Sequence, residues 1–101
     1  MEYSYFSLSE INNSLRQLFK EVFYEPIWIK AEISEIHKNS SGHCYLELIE
    51  KDESTNIPIE RASAKCWRSS WLMIGPHFER VAGVQLRAGL QIMVQVHAQF
   101  H

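Results

Sequence analysis

The sequence is poor in the residues that build disulfide frameworks and metal centres. Only two of its 101 residues are cysteines, Cys44 and Cys66, and no CxxC spacing occurs. Its five histidines are scattered and form no HExxH motif. These absences argue against a disulfide-rich scaffold and a zinc ribbon. We expect both cysteines to be buried free thiols, and no metal or cofactor to be bound.

Long apolar runs and an excess of positive charge are also absent. No run approaches the roughly 20 residues that cross a bilayer, and residues 1–6 hold no basic stretch that would open a secretory signal. We therefore expect a cytoplasmic location and no membrane partner.

Lysine and arginine number 10 against 12 aspartates and glutamates, giving a net charge of −2. This balance argues against a strongly basic nucleic-acid binder, so any such function must depend on a local cluster of side chains.

What the sequence does contain predicts one small domain over residues 1–101, with a helix at its start. A hydrophobic content of 46% suits a globular chain with one core. Ser7 and Glu10 have the spacing of a capping box. Apolar residues then recur every three or four positions, which predicts an amphipathic helix over about 8–23 that docks on the core. They are Leu8, Ile11, Leu15, Leu18, Phe19 and Val22.

After Pro26 the apolar period changes from helical to alternating, which is typical of strands. The alternation predicts strands over about 27–37, 43–50 and 59–68, with a polar loop over 50–58. A second helix is predicted over about 69–82, broken or restarted at Gly75-Pro76 and stopped at Gly83. A last strand is predicted over about 90–100.

This order predicts a mostly β protein with helices: an OB-fold-like Greek-key barrel with the N-terminal helix packed on it. An OB-fold has five strands and only four are found here, so we expect the fifth to be missing. Unpaired strand edges recruit other chains. We therefore predict an edge-strand or segment-swapped homodimer, with the last strand, 90–101, as one candidate edge.

Four stretches of the chain, taken in order, match one family. They are Leu8-Ser9-Glu10-Ile11-Asn12, Trp28-Ile29-Lys30-Ala31-Glu32-Ile33-Ser34, Ser40-Ser41-Gly42-His43-Cys44-Tyr45 and Cys66-Trp67-Arg68. Over about 7–100 the chain resembles the amino-terminal OB-fold domain of exodeoxyribonuclease VII large subunits. It departs from the family pattern at Ala31, where glycine is usual, and in a longer segment over 51–60.

The resemblance implies a module that binds single-stranded DNA and presents it to a catalytic domain with no counterpart in this sequence. In the parent protein it implies a single-strand-specific exodeoxyribonuclease that recruits exonuclease VII small subunits. No nucleophile–base pair or phosphate-binding glycine loop is visible, so we expect no catalytic residues in this chain. The alternative from another class is a protein-interaction module that assembles the parent without touching nucleic acid.

Strand alternation predicts a binding surface on the outer side of the sheet. OB-folds stack bases on aromatic rings while cations follow the phosphates. The alternation places Tyr45, Lys65 and Trp67 outside, and Trp67 with Arg68 also matches a family position. The predicted nucleic-acid-binding residues are Trp67, Arg68, Lys65, Tyr45, His43, Arg61 and Lys30.

Each of these residues also has a purely structural interpretation. Trp67 could pack under the second helix, and Trp28 is expected to pack against the first. Tyr45, Lys65 and Arg61 could be ordinary half-exposed strand positions. Two outer glutamates, Glu32 and Glu47, would repel phosphate and weaken binding.

Overall fold

A computed structural model describes residues 3–100; Met1, Glu2 and His101, at the ends of the predicted domain, lie outside the described residues. The elements are α1 (Leu8–Val22), β1 (Ile27–Lys38), β2 (Cys44–Lys51), β3 (Pro58–Cys66), α2 (Arg68–Ala82) and β4 (Gln91–Val96). The chain divides into two units, Lys30–Met93 and Met1–Ile29 with Val94–His101. Within the described residues, no helix is long and apolar enough to cross a membrane.

The four strands form one open sheet in the order β3-β2-β1-β4. β2 pairs antiparallel with β1 on one side and with β3 on the other. β3 and β4 are the outermost strands of this order, so the sheet of the described residues does not close into a barrel. The alternating apolar pattern explains why each strand forms, because it gives every strand one face to bury.

The buried core of the larger unit is centred on Ile33, which has no exposed surface. It lies opposite Leu48 of β2, which is 4% exposed. Its backbone N–H donates to the carbonyl of Leu90, and its carbonyl accepts from the N–H of Gly89. Ile33 is therefore packed opposite a residue of β2 and held by backbone hydrogen bonds to the segment that leads into β4.

A β-bulge at Ser34 changes which side of β1 faces the core. Ile33 pairs with Leu48 and Glu35 pairs with Glu47, so Ser34 is an extra residue without its own partner. Its hydroxyl donates to the carbonyl of Glu47 at 3.2 Å. Before the bulge the odd-numbered residues of β1 face inward, and after it the even-numbered ones do.

The predicted break in the second helix is wrong, because α2 is continuous through Pro76. A proline removes one backbone donor, and α2 continues past that loss. A Cβ on Gly75 would come within 3.3 Å of the Trp71 ring, so the glycine gives that ring room. The helix ends where predicted, at Gly83, whose φ of 77° is in the left-handed region.

The boundaries around the third strand also differ from the prediction. β3 stops at Cys66 rather than at 68, because Trp67 is the N-cap of α2 and Arg68 is its first residue. The Trp67 carbonyl accepts from the N–H of Trp71 at 2.8 Å, which closes the first helical turn. Likewise β4 ends at Val96, short of the predicted 100.

In the smaller unit, α1 begins as the capping box predicts. The Ser7 hydroxyl accepts from the N–H of Glu10 at 3.1 Å. No residue of α1 is buried. Phe19 is its best-packed member, with ring contacts to Phe23 and Phe100. Trp28, expected to pack against this helix, is 63% exposed.

Candidate nucleic-acid interface

The register of the sheet places three residues side by side on its outer face. Two of them were predicted as binding residues and one was not. Tyr45 on β2 pairs with Lys65 on β3, and on its other side it pairs with His37 on β1. Directly paired residues project to the same face. The row His37–Tyr45–Lys65 therefore crosses three adjacent strands.

Trp67 extends this row beyond the end of β3. Its ring lies 3.8 Å, centroid to Nζ, from the Lys65 ammonium, a cation–π contact. The His43 ring meets it edge-on, with centroids 5.0 Å apart. The indole is 56% exposed. The alternative that Trp67 packs under the second helix is therefore wrong.

Tyr45 occupies the centre of the cluster. The His37 ring stacks on it with centroids 5.5 Å apart and planes 18° from parallel. Lys65 Nζ lies 5.4 Å from its centroid, so one ammonium is near two aromatic rings. Asn39 Nδ2 donates to its hydroxyl at 3.3 Å, which holds the ring from the turn between β1 and β2.

We name the group of His37, His43, Tyr45, Lys65 and Trp67 the aromatic–basic face. Four of these were predicted from the sequence, and His37 was not. Strand parity alone puts His37 on the inner side with Ile33. The bulge at Ser34 moves it outward, and the sequence carries no glycine there to signal a bulge.

The turn before β2 orients His43. Asn39 Oδ1 accepts from the N–H groups of Ser41 and His43, both at 3.0 Å. His43 Nδ1 accepts from the N–H of Arg68 at 2.9 Å. That contact leaves Nε2 as the remaining polar atom of the ring, which can meet a ligand.

Arg68 contributes its backbone to this arrangement, whereas its side chain packs elsewhere. Its Cγ and Cδ lie about 3.1 Å from where a Cβ on Gly42 would stand, so a side chain at position 42 would force the Arg68 side chain to shift. Gly42 also has a φ of 88°. The Arg68 side chain lines an open groove of about 480 Å³ together with Cys44 and Trp71.

The other two predicted cations lie on the outer face at a distance from the cluster. Arg61 pairs with Ile49, four residues from Lys65 along β3, or about 13 Å at strand rise. Lys30 is seven residues from His37 along β1, or about 23 Å. The structure therefore does not bring Arg61 and Lys30 together with the aromatic–basic face.

Acidic residues separate the two ends of the outer face. Glu35 and Glu47 pair across β1 and β2, and Glu47 accepts a 2.6 Å hydrogen bond from the Ser63 hydroxyl. Glu32 is bound by Lys51, with Nζ and carboxylate oxygen 3.0 Å apart. Beyond them, the hydroxyl and N–H of Ser54 and the N–H of Thr55 lower the pKa of Asp52 to about 2. These carboxylates disfavour an anionic ligand on the middle of the outer face, whereas the Trp67 end carries the Lys65 ammonium.

Among residues 3–100, no three His, Cys, Asp or Glu side chains lie close enough together to hold a metal ion. The chemistry available at the aromatic–basic face is stacking, cation contact and hydrogen bonding. These are the interactions by which single strands are held.

Comparison with known proteins gives the family of this chain. The model of a family described as an OB-fold nucleic acid binding domain matches residues 6–101. The chain belongs to this OB-fold family. The fold predicted from the sequence is thereby confirmed, with a sheet that is open rather than closed.

This OB-fold domain is also similar to parts of longer proteins. It is 35% identical to the exodeoxyribonuclease 7 large subunit of Anaplasma marginale (strain Florida) over 92 residues, which is 91% of this chain and 19% of that protein. It is 31% identical to the same-named protein of Salinibacter ruber (strain DSM 13855 / M31) over 81 residues, which is 80% of this chain and 18% of that protein. The predicted resemblance is confirmed. The chain spans about a fifth of the length of these curated relatives.

Proposed function

We propose that this OB-fold domain binds single-stranded DNA on its aromatic–basic face. The observation that carries the proposal is the position of Lys65 beside two aromatic rings, 3.8 Å from that of Trp67 and 5.4 Å from that of Tyr45. Rings can take successive bases, and the ammonium can contact a phosphate of the same strand. Because every base has a flat face, such binding tolerates any sequence.

Two features of the face, and one of the duplex, favour binding of a flexible single strand. The Trp67 indole is more than half exposed, so a base can lie against it without rebuilding the core. The bases of a duplex are already stacked on one another and present no free face. The contact to Asn39 and the pairing with Lys65 hold Tyr45 in place before a ligand arrives, which lowers the entropy cost of binding.

In the parent protein, we propose that the domain delivers single-stranded DNA to a catalytic domain beyond this stretch. The similarity to exodeoxyribonuclease 7 large subunits supports a nuclease as that parent. Recruitment of small subunits and a cytoplasmic location belong to the same proposal. The residues of this stretch take part in binding and not in bond cleavage, so nuclease assays on the chain alone are expected to show no products.

Salt dependence tests the ionic part of the proposal. Each phosphate neutralised on a single strand contributes about −0.7 to the slope of log affinity against log salt concentration. We expect Lys65→Gln to weaken binding of a labelled thymidine oligonucleotide and to reduce the magnitude of that slope by about 0.7. Fluorescence anisotropy at a series of NaCl concentrations measures both quantities.

Lys30→Gln is the matched control, because Lys30 lies on the same outer face far from the cluster. It should leave the slope within about 0.2 of the unaltered chain, since a remote ammonium releases few counterions on binding. Equal slopes for the Lys65→Gln variant and the unaltered chain would remove Lys65 from the interface. A duplex of the same length should bind more weakly than the single strand.

A second candidate function, assembly of the parent protein, is favoured by the edge strand β3. Residues 58–63 are exposed throughout, and Ile59 is 55% exposed on this edge. Met93 on the other edge strand, β4, is 71% exposed. Exposed strands with apolar side chains pair with other chains.

We therefore expect the chain to form dimers at high concentration, through one edge or by swapping a segment. Light scattering after size exclusion should give a mass that rises from that of a monomer toward twice that value as the protein concentration is increased. Ile59→Lys should restore the monomer if β3 is the contact edge, and Met93→Lys should do so if β4 is. A single monomeric species over the whole concentration range would exclude both arrangements.

A further inference from the structure

The two cysteines lie directly opposite each other in the sheet. Cys44 is the first residue of β2, Cys66 is the last of β3, and their Cα atoms are partners in the register. Partners in an antiparallel pair have Cα atoms about 4.5 or 5.5 Å apart. Both values lie within the range of about 4.4–6.8 Å found across disulfides. Both thiols are free.

The two thiols differ in their access to solvent. Cys44 has no exposed surface, whereas Cys66 is half-buried and ends an edge strand. The Cys66 thiol lies 3.9 Å from the Trp67 carbonyl, at the point where the chain leaves the sheet. Strand ends fray more readily than strand centres. A small oxidant therefore reaches Cys66 before Cys44.

We propose that Cys44 and Cys66 are an oxidation site that closes to an intramolecular disulfide in the presence of a peroxide. The Cys66 thiolate attacks one peroxide oxygen, the O–O bond breaks, and the sulfur becomes a sulfenic acid while water leaves. The Cys44 thiolate then attacks the Cys66 sulfur, the S–S bond forms as the S–O bond of the sulfenic acid breaks, and the leaving hydroxide takes a proton to become a second water. Two electrons pass from the sulfurs to one peroxide, which is reduced to two waters.

The pH dependence of this step follows from the groups around the thiols. Burial raises the pKa of Cys66. Burial also raises the pKa of Cys44, and the nearby Cys66 thiolate raises it further by a smaller amount. Lys38, opposite Cys44 on β1, acts in the other direction. Arg68 and Glu79 of α2 line the same groove as Cys44 and carry opposite charges. Thiolate is therefore scarce at neutral pH, and the rate should rise about tenfold per pH unit from 7 to 8.

The disulfide would join the two strands at the base of the aromatic–basic face. Cys44 lies between His43 and Tyr45, and Cys66 lies between Lys65 and Trp67. Alternate residues of a strand point to opposite sides, so the bond would form on the inner side beneath these four residues. The proposal does not rest on the proposed function, because the bond can be detected without any ligand.

Intact-mass spectrometry of the full chain, diluted to low micromolar concentration and treated with hydrogen peroxide, tests the proposal. The expected product is a monomer lighter by two hydrogen atoms, with both free thiols lost. Peptide mapping should give one crosslinked pair containing Cys44 and Cys66. Closing a loop between these positions should raise the melting temperature by about 5 °C or more, and reductant should reverse the rise.

Cys66→Ala and Cys44→Ala are the matched variants, each keeping one thiol. Circular dichroism shows whether each variant folds. If one of the two does not fold, the other still tests the proposal. Neither variant should lose two hydrogens as a monomer, and Cys44→Ala should stop at an oxygen adduct on Cys66. Oxygen adducts on the unaltered chain without loss of two hydrogens would overturn the proposal. Exclusively intermolecular dimers at low concentration would overturn it equally.

Discussion

Replacing Trp67 by alanine is expected to weaken binding of single-stranded DNA by about one to two orders of magnitude. Stacking of one base on an aromatic ring is worth about 1–3 kcal/mol, and the alanine variant loses that contact entirely. Lys65 contacts two rings of the aromatic–basic face, those of Tyr45 and Trp67. Of these two, Trp67 is the more exposed. The fold should survive, because an indole that is 56% exposed leaves only a small cavity.

Anisotropy of a labelled oligonucleotide measures this loss in each variant, since the label does not depend on tryptophan emission. Trp67→Phe should recover most of the affinity, because a phenyl ring still stacks. Trp28→Ala removes another exposed tryptophan, one outside the aromatic–basic face, and should change affinity less than twofold. If Trp67→Ala and Trp28→Ala bind equally well, the binding surface lies elsewhere.

Arg68→Ala separates the two members of the family motif. The Arg68 side chain packs over Gly42 and lines the groove with Trp71, so it is less available to a ligand on the outer face. Its backbone N–H, which holds His43, is retained in the alanine variant. We therefore expect a smaller loss of affinity than for Trp67→Ala.

Strand alternation predicted most of the aromatic–basic face because β2 and β3 keep a period of two along their shared register. Tyr45 and Lys65 are paired, and positions 43 and 67 continue the same row at the ends of the strands. The two strands lie close in sequence and are joined by one loop. The predicted side of each residue was therefore also the observed side.

The bulge at Ser34 is the feature that sequence periodicity could not reveal. A bulge is a property of the pairing between two strands, and serine is compatible with regular strand and bulge alike. Its effect reaches His37, which changes side and stacks on Tyr45. Arg61 and Lys30 show a simpler limit. Periodicity gave their side of the sheet, whereas their distance from the cluster follows from their positions along β3 and β1, which periodicity does not measure.

The end of β3 shows a different limit of sequence reasoning. Trp67 and Arg68 continue the alternation of the strand, so the pattern predicted strand to residue 68. The chain instead turns at Trp67 into α2. This turn exposes the indole and directs the next side chain into the groove. A local change of backbone thus separated two residues that the sequence placed in one site.

Ile33→Ala is expected to lower the free energy of unfolding by about 2–5 kcal/mol, the usual cost of removing a large apolar side chain from a core. Ile33 has no exposed surface, lies opposite Leu48 and bonds through its backbone to Leu90 and Gly89. A domain of this size is stable by about 5–15 kcal/mol, so the loss is a large share. Urea unfolding should show a lower midpoint with an unchanged slope.

Ile59→Ala provides the matched control, since the same atoms are removed from a strand position that is 55% exposed. It should cost about 0.5 kcal/mol or less. Equal losses for the two variants would mean that the core is not centred on Ile33.

The comparison also bears on the binding surface. Ile33 is the last residue before the bulge, and its burial sets which side of β1 faces inward there. The bulge at Ser34 then places His37 on the outer side. Ile33→Ala should therefore make the aromatic–basic face less rigid, although no residue of that face is substituted.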